Sequence, residues 1–115
     1  MIKVLWFSRH EMSTKQRNAL GECSILQVNK TINHASELIH EINDCDIIAI
    51  VAPIGLQREF IEIAGDKPVI MALNERILTP SPDGGEDKVT FSFVKWERII
   101  KIDVVKEDFD PSSLQ

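Results

Sequence analysis

The 115-residue chain carries a net charge of −5, and 43% of its residues are hydrophobic. That length and apolar content suit one domain with a real core and leave no need for a disulfide or metal staple. The acidic balance excludes nonspecific coating of long nucleic acid, which needs many Lys and Arg contacts to phosphate, but still allows a short nucleotide in a local basic pocket.

Residues 2–7 (IKVLWF) form a compact apolar run suited to a strand buried on both faces. Ser13 lies three residues before Gln16. This S-x-x-Q box predicts a helix start with Met12 as its staple, running to about Leu20 and closed by Gly21. Residues 24–28 (SILQV) read as a second strand. Asn33 is placed to cap a second helix, in which Ala35, Leu38, Ile39 and Ile42 share one face. Residues 46–52 (DIIAIVA) are the most apolar segment and are expected to be the central strand. Pro53, Ile54 and Gly55 then turn the chain. A third helix presents Leu56, Phe60 and Ile63 and ends at Gly65, and residues 68–73 (PVIMAL) make a fourth strand.

Strands alternating with helices at this spacing predict an α/β fold. It is a Rossmann-like three-layer arrangement around a four-stranded parallel sheet. Residues 79–87 (TPSPDGGED) are loop chemistry. Residues 88–94 and 98–105 alternate apolar and polar positions, and predict a C-terminal antiparallel β-hairpin turning near Lys95, Trp96 and Glu97. The expected organisation is a single domain over residues 1–115. Its core covers 1–75, the hairpin extension 76–107, and a polar tail 108–115. Cys45 opens an apolar strand and is expected to be buried. Two cysteines, Cys23 and Cys45, cannot build a Cys-rich zinc site, and with no leader peptide expected they suit a reducing cytoplasm. The longest apolar run, residues 47–53, is too short for a membrane span.

An open parallel sheet binds ligands beyond the carboxyl ends of its strands. Four segments fall there: Ser8, Arg9 and His10; Asn29, Lys30 and Thr31; Pro53, Ile54 and Gly55; and Asn74 with Arg76. Arg9, Lys30 and Arg76 gather positive charge at one edge of an acidic protein. The helix opening at Ser13 and Thr14 adds backbone N–H groups, so the edge suits a phosphate-bearing ligand. The alternative is that Arg9 and Lys30 are ordinary solvated loop charges. His34 and His40, six apart on one helix, do not form a metal pair. Glu37 and Glu41 read as a solvated face. No G-x-G-x-x-G or G-x-x-x-x-G-K motif is present, and no cofactor or metal site is expected.

Two resemblances attach to these residues. The segment KVLWFSRHE resembles the opening of histidine phosphatases, in which a first strand ends in Arg-His-Gly, the His attacking phosphorus and the Arg holding the phosphate. Glu11 replaces that Gly, and no histidine follows His40 to supply the family's second one. The segments FSRHEMSTKQ (Ser8, His10, Ser13, Gln16) and DIIAIVAPIGLQREF are similar to small CRISPR-associated ring nucleases, over about residues 2–73. That resemblance implies a compact Rossmann-like fold and a two-fold homodimer binding a cyclic oligoadenylate across its axis. It further implies cleavage without a metal, or sequestration alone. Arg9 and Lys30 would then supply charge, Ser8, Ser13 and Thr31 hydrogen bonds, and His10 an acid or base, with Arg9 and His10 as the catalytic pair. The competing possibility is a non-enzymatic interaction module acting through the hairpin, with Phe93 and Trp96 as anchors.

Overall fold

The computed structural model describes residues 1–114 and shows an α/β fold built on one five-stranded mixed sheet. The strands are β1 (Ile2–Phe7), β2 (Cys23–Val28), β3 (Ile47–Ile50), β4 (Val69–Thr79) and β5 (Lys88–Arg98). Their order across the sheet is β2-β1-β3-β4-β5. The β1 strand runs parallel to β2 and β3, β3 runs parallel to β4, and β5 is antiparallel to β4. The expected central strand is central, and it is shorter than residues 46–52. The helices are α1 (Thr14–Leu20), α2 (Ile39–Asp44) and α3 (Ile54–Ala64).

Alternation along β1 divides the core between the two faces of the sheet. Leu5 and Phe7 join Ile42, Ile48, Ile50 and Phe60 in the larger apolar cluster, beneath α2 and α3. The Phe7 and Phe60 rings lie 5.4 Å apart. Val4 and Trp6 point the other way, to Ala49 and Ile70, and are covered by Met12 and Leu20 around α1 and by Trp96 of β5. Both faces of β1 are therefore dry, which is why its sequence is almost wholly apolar.

The Ser13 capping box forms as the sequence indicates. Ser13 Oγ accepts the Gln16 N–H at 3.1 Å, and Gln16 Oε1 accepts the Ser13 N–H at 2.9 Å. Gly21 ends the helix at φ 77°, a conformation open to glycine. Cys45 is buried, and burial pushes its thiol up from its ordinary value.

The second helix departs from expectation. It opens as a 3-10 turn over Ala35–Leu38 before α2 begins. Three residues per turn keep Ala35 and Leu38 on the buried side and rotate Ile39 off it, so Ile39 is exposed while Ile42 is buried. Asn33 does not cap it. Instead the Glu37 carboxylate accepts the N–H groups of Asn33 and His34, at 2.7 and 2.9 Å. Those bonds, His34 first, hold Glu37 below the usual carboxylate range. Glu37 is therefore a structural cap rather than part of an idle solvated face.

Pro53, Ile54 and Gly55 do not form a separate turn. Pro53 occupies the N-cap of α3, and Ile54 and Gly55 are its first helical residues.

The largest correction concerns the hairpin. It is β4 with β5, joined by residues 80–87, and not residues 88–94 with 98–105. Lys95, Trp96 and Glu97 lie inside β5, paired with Leu73, Ala72 and Met71. The apparent turn is a β-bulge: the register shifts between Leu73 and Asn74, one residue of β5 goes unpaired, and the apolar alternation through Phe91 and Phe93 resumes at Trp96. Residues 99–110 form no strand. The sheet thus has five strands, and β4 serves both the parallel array and the hairpin.

Candidate functional site

The chain leaves β1 to build β2 on one side and then crosses back to build β3 on the other, so strand order reverses between β1 and β3. A crevice opens at such a reversal because successive crossovers diverge to opposite faces. A cleft of about 390 Å³ lies there. Its floor is apolar, formed by the buried or half-buried Phe7, Val28, Ile32 and Leu56; the exposed Val51 and Pro53 also line it, and its polar rim carries Arg9, His10, Lys30 and Thr31 beside the buried Ser8.

The rim is held by specific bonds. Trp6 and Gln27 are cross-strand partners on β1 and β2. The Trp6 indole N–H donates to the His10 carbonyl at 2.8 Å, and Gln27 Nε2 donates to the carbonyls of Ser8 and His10 at 3.1 and 3.0 Å. Ser8, which is buried, accepts the His10 N–H on its Oγ at 3.1 Å and keeps its own O–H as a donor. With its peptide groups tied down in this way, the Ser8–His10 segment presents Arg9 and His10 to the cleft.

Arg9 Nη2 reaches across to donate to Thr31 Oγ1 at 2.9 Å, joining the loops that follow β1 and β2. Among the described residues neither Arg9 nor Lys30 forms an ion pair, and no Asp or Glu lines the cleft. Lys30 is near enough to Glu37 to favour its ionised form. A cleft bearing two cations and an imidazole over an apolar floor, in a chain of net charge −5, is suited to a planar apolar group joined to an anion.

The structure thus brings together Ser8, Arg9, His10, Lys30, Thr31 and Pro53. It leaves out Asn29, Ile54 and Gly55, which flank the cleft in sequence but do not line it. Ser13 and Thr14 are not in the lining either. The Ser13 box satisfies its own donors, and α1 packs toward β5 by accepting the Trp96 indole N–H on the Gln16 carbonyl at 3.0 Å. Asn74 and Arg76 lie within β4, opposite Phe93 and Phe91, because the fourth strand runs on past Leu73 instead of ending in a loop. His34 and His40 do not line the cleft; His34 Nδ1 contacts Glu59 Oε1 at 3.2 Å.

Reasoning from the sequence missed Trp6 and Gln27 as the residues that fix the rim. The one signal was Gln27 itself, a polar residue between Leu26 and Val28 near the carboxyl end of a strand. Among the described residues no three His, Cys, Asp or Glu side chains form a group able to hold a metal ion, and no helix is long and apolar enough to cross a membrane. No protein-family model, curated protein or solved structure matches the chain.

Proposed function

We propose that the cleft between β1 and β3 binds a phosphate-bearing nucleotide, specifically a cyclic oligoadenylate of the second-messenger type, in the cytoplasm. The observation that carries this is the pairing of Arg9 and Lys30, neither in an ion pair, with an apolar floor in one cleft. An adenine would lie on Phe7, Val28, Ile32 and Leu56, and its phosphate would meet Arg9, Lys30 and the Ser8 hydroxyl. The segments FSRHEMSTKQ and DIIAIVAPIGLQREF, which resemble ring nucleases, supply the choice of a cyclic ligand.

Cleavage at such a site would be an in-line displacement within the ligand. A ribose 2′-O forms a bond to the adjacent phosphorus, the bond to the departing 5′-O breaks, and a 2′,3′-cyclic phosphate results. The 2′-OH gives up a proton and the 5′-O gains one, and His10 would carry one of these transfers. Arg9 and Lys30 would steady the charge growing on the phosphate oxygens. A protein that only sequesters the ligand needs the same contacts without the alignment of the 2′-oxygen.

Calorimetric titration with cyclic tetra- and hexa-adenylate, alongside chromatography of the reaction products, tests both versions. Arg9→Ala is expected to weaken binding by about 1–3 kcal/mol, the worth of a charge-assisted hydrogen bond. His10→Ala is expected to slow turnover if the ligand is cleaved, and to weaken binding if it is only held. Unchanged affinity and unchanged cleavage in both variants would reject the site.

A further inference from the structure

We infer that Glu59 is a positioning residue for the cleft: from α3, its carboxylate fixes the loop that carries Lys30, Thr31 and Ile32. The inference rests on the reading of that cleft as an anion site and deepens it. The loop, residues 29–34, joins β2 to the 3-10 turn that begins at Ala35. Lys30 forms no ion pair among the described residues, so the loop backbone decides where its charge stands. Midway along, Thr31 Oγ1 holds the loop to Arg9 at 2.9 Å. The far end is held by two carboxylates. Glu37 accepts the N–H groups of Asn33 and His34, but it belongs to the turn itself, so those bonds shape the turn without anchoring it to another layer. Glu59 Oε1 accepts the Ala35 N–H at 3.3 Å and meets His34 Nδ1 at 3.2 Å. It stands on α3 one turn beyond Leu56, and Leu56 and the N-cap Pro53 line the cleft. Glu59 therefore ties the α3 wall of the cleft to the wall that carries Lys30.

Burial makes this tie hard to give up. Ala35 is fully buried, and a buried N–H left without an acceptor is costly. Charge alone argues the opposite way. Glu59 does not line the cleft, and its negative charge opposes any anion bound there. Removing that charge would by itself tighten anion binding, whereas freeing the loop would weaken it, because only the fraction of chains with Lys30 in place could bind. Placement and charge therefore predict changes of opposite sign. A residue that merely supported the fold would change neither affinity nor its sign once the chain was folded.

Calorimetric titration of the wild type, Glu59→Ala and Glu59→Gln with cyclic tetra- and hexa-adenylate tests this, each variant first checked for wild-type far-ultraviolet circular dichroism. Glu59→Ala is expected to weaken binding about 3- to 30-fold, the range of couplings carried through a neighbouring element. Glu59→Gln keeps an oxygen to accept the Ala35 N–H and loses the charge, so it is expected to bind at least as tightly as the wild type. Glu59→Ala binding as tightly as the wild type or more so, or Glu59→Gln as weak as Glu59→Ala, would overturn the inference. Should Glu59→Ala fail to fold, Glu59→Asp takes its place: it keeps the charge, shortens the reach by one methylene, and is expected to weaken binding likewise. A ligand-free measurement separates this inference from the oligoadenylate reading. Backbone ¹⁵N order parameters of Lys30, Thr31 and Ile32 are expected in the rigid range, about 0.85, in the wild type and Glu59→Gln, and to fall toward about 0.6 in Glu59→Ala. If the wild type binds neither adenylate, the oligoadenylate reading fails and the order parameters decide. Unchanged values in Glu59→Ala, or a fall confined to His34 and Ala35, would overturn the positioning role.

Discussion

Strands β1 and β5 are both rich in apolar residues, β1 as a continuous run and β5 by alternation, yet they end in opposite environments. In β1 each face meets a layer of its own chain, Leu5 and Phe7 under α2 and α3, Val4 and Trp6 under α1 and Trp96. In β5 only the inner end is covered, where Trp96 and Phe93 reach the Trp6 cluster, and Phe91 and Val89 stand free. Apolar residues along a strand thus form a core in one place and leave an uncovered surface in the other. Alternation records that a face must be covered. What covers it depends on which elements the chain can fold back over that face, and after residue 98 the described residues form no strand and only a short exposed 3-10 turn over Pro111–Leu114.

The sharpest test of this contrast is a matched pair of truncations. Leu5→Ala empties a fully buried position and is expected to cost about 2–5 kcal/mol in urea unfolding. Phe91→Ala, measured at concentrations low enough to keep chains apart, is expected to change stability by no more than about 0.5 kcal/mol. Comparable losses in the two variants would mean that the outer ribbon is packed by its own chain after all.

A smaller effect is expected at the seam that holds the site to the parallel half. Gln27→Ala removes two donors to the Ser8 and His10 carbonyls and is expected to cost about 1 kcal/mol of stability. Its larger consequence is expected in the rim, seen as weaker oligoadenylate binding although Gln27 does not line the cleft. Ligand affinity equal to the wild type's would show that Trp6 alone is enough to hold the loop.

The smallest effect belongs to Glu37, whose carboxyl is held below the usual range by the N–H groups of His34 and Asn33. A carboxylate with a lowered folded pKa adds stability that is fully present above its unfolded value and is lost as pH falls through the folded value. Acid unfolding of Glu37→Gln is therefore expected to show a shallower loss of stability on the acid side than the wild type. Because Glu37 is exposed, the difference is expected to be slight, and parallel curves would show that solvent screens it completely.

Much of the parallel half was legible in the residues. The strand 2–7, the Ser13–Gln16 box, the third helix and the central strand each follow from short-range patterns that tertiary packing left intact. The cleft was legible in part for the same reason: Ser8, Arg9 and His10 directly follow the buried β1, Lys30 and Thr31 come just after β2, and strand ends fix where the next residues begin. Ser13 and Thr14 were misplaced because a capping box indicates that a helix starts, not which way its end faces. Asn74 and Arg76 were misplaced because Asn-Glu-Arg after an apolar run looks like the end of a strand. Here those residues continue a two-stranded ribbon whose open face tolerates polar side chains.

By itself, then, the sequence determined the alternation of strands and helices, the apolar strand that became central, and the polar groups at the carboxyl ends of β1 and β2, because each depends on residues within a turn or two of one another. Tertiary structure alone decided the pairing of β4 with β5, the bulge that carries Trp96 onto Trp6, and the Trp6 and Gln27 bonds that fix the rim. Apart from the Trp6–His10 bond, which spans four residues, those features join residues far apart in the chain. Their energies depend on cross-strand register and on which face meets which neighbour, and a shift of one residue reverses every such contact.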